Sequence, residues 1–173
     1  MRLVLDSSVL IATLKPEEPG HADARAFVAR LQEAQAAGEA SAFAPPELWL
    51  EVYVAEQRLA RARGGKKPRA PARGEESAPE PDALRGLAVE LVAPADVDTV
   101  TSFLELLTRR TRGRRPSANA TDLVYLWAAA SVDAAVVTLD EGLLEYHGAV
   151  CDVTRPQHVR FGGARPAGPS PTT

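Results

Sequence analysis

Apolar positions along this chain follow two rhythms. Short solid runs, such as Leu3-Val4-Leu5 and Ala134-Ala135-Val136-Val137, suit strands buried on both faces. Longer stretches repeat every three or four residues, as amphipathic helices do. Residues 2–5 predict the first strand. It breaks at Asp6-Ser7-Ser8, where Ser7 or Ser8 can cap a helix over 9–14. Ala24, Phe27, Val28 and Leu31 predict a helix over 21–37, stopped by Gly38. Residues 41–44 predict a short strand, and Pro45-Pro46 opens the next helix, since proline suits a first turn. Leu48, Val52, Ala55 and Leu59 line that helix at spacings of four, three and four.

Downstream, residues 84–91 read as a helical turn running into a strand-like VELV. Residues 94–112 predict an amphipathic helix with Val97, Val100, Phe103, Leu104 and Leu107 as its core face. A helix begun at Ser117 or Thr121 runs to about Val132 through Leu123, Leu126, Trp127 and Ala130. A valine-rich strand over 134–138 follows, then a short helix over 141–147 and a last strand over 149–153. Two stretches have almost nothing to bury. Residues 64–81, GGKKPRAPARGEESAPEP, predict a flexible insertion, and residues 162–173 a disordered tail. One domain over 1–161 remains.

Strands alternating with helices predict an α/β fold around a mainly parallel sheet. In such sheets, sites form beyond the carboxyl ends of the strands. That rule selects Asp6 and Asp140, each placed just after a predicted strand. Asp122 opens the helix that returns to the strand before Asp140, so those two acids are expected to be neighbours. Glu51 lies in the first two turns of the helix after 41–44, beside its apolar stripe. Four carboxylates can therefore converge on one edge. Glu47, Asp133, Glu141 and Asp152 compete less well, although Glu47 is only one turn from Glu51.

Composition limits the chemistry. The chain has 173 residues, 45% of them apolar, with a mean hydropathy of -0.15, ordinary values for a globular domain. No run approaches the ~18 apolar residues of a membrane span. Asp6 interrupts the N-terminal run and no convincing cleavage site follows, so a signal peptide is not expected and the cytoplasm is. Cys151 is the sole cysteine, which excludes an intramolecular disulfide. With a net charge of -3, nucleic acid could be held only by local basic patches. Arg61, Arg63, Lys66, Lys67, Arg69 and Arg73 form one such run; Arg109, Arg110, Arg112, Arg114 and Arg115 form another. A plainer reading of either is a solvated loop or a partner for a helix dipole.

Clustered carboxylates raise each other's pKa, and a divalent cation with hard oxygen ligands is the usual relief. Mg²⁺ (or Mn²⁺) suits few carboxylates, retained waters and phosphate substrates. His21, His147 and His158 are scattered and read as surface or loop residues, and no set of residues suits structural zinc. Singly, Asp122 could be a helix cap and Glu51 a solvated helix residue; their joint placement argues for a site.

The segment VLDSSVLIA resembles the opening of PIN domains: an apolar strand, Asp, two small hydroxylic residues, then a helix. APPELWLEVYVAEQRL resembles the second motif of that family, which points to Glu51. ATDLVYLWAAASVDAAVVTLDEGL is similar to the third and fourth motifs, matching Asp122 and Asp140. Thr138, and Ser7 or Ser8, fall where supporting hydroxyls are expected. The resemblance spans about 1–153 and implies a three-layer α/β/α sandwich with metal-dependent RNA cleavage. It implies metal ligands at Asp6, Asp122 and Asp140, with Glu51 on metal or on the attacking water. The 109–115 arginines, or the insertion, would hold the RNA backbone. Small members of this shape are mostly VapC-like toxins, which implies a cognate antitoxin and a homodimer. The 64–81 insertion is longer than in compact toxins of that type.

Two other readings stay open. A haloacid-dehalogenase-like phosphatase would need a second Asp where Ser8 stands, and no suitable Lys follows. A PIN-like module that only binds RNA or a protein would keep the fold without the chemistry.

Overall fold

Five parallel strands form one sheet in the order β3-β2-β1-β4-β5. They are β1 (Arg2–Leu5), β2 (Ser41–Ala44), β3 (Val89–Leu91), β4 (Ala135–Val137) and β5 (Val153–Thr154). The computed structural model describes residues 1–62, 84, 86–94, 96–111 and 120–162. The predicted insertion over 64–81, Arg63, Arg112, Arg114, Arg115 and the tail from 163 lie outside the described residues.

β1 is central, with Leu3, Val4 and Leu5 all buried, as a parallel strand covered on both faces requires. The register pairs Val4 with Phe43 on one side and with Val136 on the other. The chain runs outward from β1 to β2 and β3, then crosses back to β4 and β5. Right-handed crossovers therefore put the outgoing and returning helices on opposite faces, giving a three-layer α/β/α arrangement. α1 (Ser7–Leu14), α2 (His21–Ala36) and α3 (Glu47–Ala62) belong to the outgoing half, and α1 packs on both α2 and α3. α4 (Val97–Arg110), α5 (Ala120–Ser131) and α6 (Glu141–Leu144) belong to the return. α5 packs on β1, β2 and β4. Buried Ala128 and Ala129 let it approach the sheet closely. Among the described residues, no helix is long and apolar enough to cross a membrane.

The chain departs from the sequence pattern in four places. Neither Ser7 nor Ser8 is the N-cap of α1; the helix starts at Ser7 and Asp6 holds the cap position. α4 starts at Val97 rather than at 94, because Asp96 accepts from the Thr99 amide at 2.7 Å and caps it. Only Phe103 and Leu107 of its predicted core face are buried; Val97 is 78% exposed and Leu104 is exposed too. α6 ends at Leu144, and β5 is Val153–Thr154 instead of a strand over 149–153. In that loop Gly148 adopts φ 74 and its amide donates to the Cys151 carbonyl at 2.9 Å, a turn that satisfies the backbone without a strand.

Candidate active site

The direction of winding reverses between β1 and β4, so a crevice opens beyond their carboxyl ends. Asp6 leaves β1 there. Its amide donates to the Val137 carbonyl at 3.0 Å, which extends the β1–β4 pairing by one residue. Its side chain makes no capping bond to α1. The carboxylate instead accepts from two hydroxyls, Ser8 and Thr138, the latter at 2.6 Å.

The direction of those two bonds is set by the backbone. The Leu139 amide donates to Ser8 Oγ at 3.0 Å, and the Asp140 amide donates to Thr138 Oγ1 at 2.8 Å. Each hydroxyl thus accepts from an amide and has its single proton left for Asp6. Asp6 is only 3% exposed. Burial, helped by the charges of Glu51 and Asp122, pushes its carboxyl up to about 6 against the hydrogen bonds of Ser8 and Thr138.

α3 and α5 bring those charges. Glu51 Oε2 accepts from the Tyr125 hydroxyl at 2.9 Å. Tyr125 is fully buried, and its phenol is raised by burial and by the nearby charges of Asp6 and Glu51. The Ser7 hydroxyl nearby acts the other way and lowers it. Asp122 lies three residues before Tyr125, on the same face of α5. Glu51 and Asp122 are thus each held within electrostatic reach of Asp6. Glu47 has one buried carboxylate oxygen, Oε2, without a hydrogen-bond partner, and does not figure among the charges acting on Asp6.

Asp140 stands beside this group through the Thr138 hydroxyl. One of its oxygens, however, accepts from the Leu143 amide at 3.0 Å and caps α6. Ser7 serves Tyr125 rather than Asp6, whereas Ser8 and Thr138 both serve Asp6.

Arg109 is exposed and faces Glu105 at 4.0 Å. Arg110 borders a cavity of about 660 Å³, with Asp133, Ala134, Ala135, Cys151 and Asp152. That cavity lies at the amino end of β4. At ~3.3 Å per residue, Ala134 and Thr138 stand roughly 13 Å apart along the strand, so the cavity and the acids occupy opposite edges. Burial pushes the Cys151 thiol up to about 11, which makes it a poor nucleophile.

Tyr125 is the residue that pattern reading passed over. A buried phenol needs a hydrogen-bond partner, and its spacing of three from Asp122 puts it on the face of the acids.

The donor set is hard oxygen, and its members repel each other, which suits Mg²⁺ or Mn²⁺. Among the described residues, no three Asp, Glu, His or Cys side chains stand close enough to enclose an ion. An open arrangement that leaves most coordination positions to water still fits Mg²⁺, which dehydrates reluctantly. No protein-family profile matches the chain, and no curated protein matches its sequence. The chemistry is therefore read from the residues themselves.

Proposed function

We propose that this protein is a Mg²⁺- or Mn²⁺-dependent endoribonuclease of PIN-domain type. The observation that carries the reading is a buried Asp6 at the sheet's reversal point, pressed by the charges of Glu51 and Asp122. Asp6 and Asp122, with the remaining oxygen of Asp140, would hold the ion. Glu51 would add charge or fix the attacking water. When bound, the ion would neutralise the phosphodiester and lower the pKa of a water. The part played by the chain itself is orientation. Ser8 and Thr138 turn their protons to Asp6, and Tyr125 holds Glu51 to α5. Arg112, Arg114 and Arg115, or the basic residues of the insertion, would hold the RNA backbone.

A toxin of VapC type, held by an antitoxin and paired as a homodimer, is the biological setting proposed. What supports a protein partner is the run of exposed Leu50, Tyr53 and Val54 on α3.

The test is cleavage of a panel of structured and single-stranded RNAs with Mg²⁺, with Mn²⁺ and with EDTA, alongside Asp6→Asn. Cleavage that needs metal and is lost in Asp6→Asn is the expected result; activity retained in that variant sinks the proposal. A non-catalytic binding module is favoured by one observation, the lack of a closed three-ligand set among the described residues. It predicts no thermal stabilisation by Mn²⁺. An ion-binding site at 100 times its Kd would add about 2.7 kcal/mol.

A further inference from the structure

We infer that Tyr125 is a positioning residue, whose hydroxyl locks the Glu51 carboxylate toward Asp6. The inference rests on the metal-site reading above and extends it to a residue outside the acidic set.

Three elements meet at this phenol. Tyr125 is on α5, Glu51 on α3, and Ser7 on the first turn of α1. An ionised carboxylate can only accept, so at the 2.9 Å contact the proton belongs to Tyr125. A phenol has one proton. The Ser7 hydroxyl, which lowers the phenol, can therefore act on it only as a donor to the phenolic oxygen. The relay has one direction only: Ser7 to Tyr125 to Glu51. It parallels the relay on Asp6, where backbone amides turn Ser8 and Thr138 the same way.

Glu51 needs such a hold. Its side chain has several rotatable bonds, and it faces another carboxylate across the site. Left alone, it would swing toward water, which relieves the repulsion and restores rotamer freedom. Tyr125 is fully buried and rigid, so its hydroxyl is a fixed anchor. Second-shell partners of this kind typically change metal affinity by about 10- to 100-fold when removed.

Titration calorimetry with Mn²⁺ alone tests this on the full chain: wild type, Tyr125→Phe, Glu51→Ala and the double variant. Phenylalanine keeps the ring, and circular dichroism reports whether the variant is folded. Should Tyr125→Phe fail to fold, Tyr125→Met also lacks the hydroxyl while filling the space with a flexible apolar chain, and it replaces Tyr125→Phe throughout the cycle. The expected result is about 10-fold weaker Mn²⁺ binding in Tyr125→Phe, and no further loss from adding it to Glu51→Ala. A merely structural tyrosine would give losses that add. Wild-type affinity in Tyr125→Phe, or a loss that persists in the Glu51→Ala background, overturns the positioning role and leaves the metal site standing. No Mn²⁺ binding by the wild type overturns the metal reading, and the role of Tyr125 with it.

Discussion

Asp6 is a carboxylate kept where its charge is costly. Its folded pKa near 6 lies above the ordinary 3.8, so the native state holds the proton more tightly than the unfolded chain. Its contribution to stability is therefore greatest below pH 4 and declines as pH rises from about 4 to 6. A shift of roughly two units corresponds to about 3 kcal/mol above that window. In EDTA at pH 8, Asp6→Asn is expected to be more stable than wild type by up to about that amount. The advantage should vanish at pH 4; urea unfolding at the two pH values checks it. An equal difference at both would show that Asp6 is not strained by its charge. Thr138→Ala should act the other way. It strips buried Asp6 of a donor and the Asp140 amide of its acceptor, a loss of about 1–3 kcal/mol by the same assay.

At the level of helices, α5 positions Asp122 and Tyr125. It lies on β1, β2 and β4 because Ala128 and Ala129 give it no bulk on that side. Ala128→Leu should push it off the sheet, at about 1–3 kcal/mol, and weaken Mn²⁺ binding together with stability. α4 is the contrasting case. Its amphipathic repeat is clear, yet only Phe103 and Leu107 are buried. Leu104→Lys should change the urea midpoint by an amount within about 0.5 kcal/mol, while Phe103→Ala should cost about 3 kcal/mol or more. Equal effects would restore Leu104 to the core.

The whole molecule exposes apolar surface on α3, at Leu50, Tyr53 and Val54, which share a face by their three- and four-residue spacing. α3 also carries Glu51, so a partner bound there would touch the helix that completes the site. Under the proposed homodimer, Leu50→Lys should shift sedimentation toward the monomer. A wild type already monomeric at high concentration would remove the homodimer from the proposal.

Asp6 was legible from its place after a solid apolar run, and Asp140 from its place after a valine strand, because a parallel sheet puts its crevice beyond such positions. The α/β class followed from short solid apolar runs alternating with stretches that repeat every three or four residues, which is local chain geometry. Other features were not local. The choice of Glu51 over Glu47 depended on which turn of α3 meets Tyr125 from α5. Which hydroxyl serves which acid depended on contacts distant in the chain: Thr138 reaches Asp6 over a separation of 132, and the Leu139 amide reaches Ser8 over 131. The single-sided burial of α4 depended on what lies opposite it, which no helical repeat encodes. The order of residues by itself determined the strands, the helices and the acids at their ends, since those follow from covalent neighbours and solvent. Only the tertiary structure decided which acids share a field and which phenol holds them, because charge and hydrogen bonds act through space.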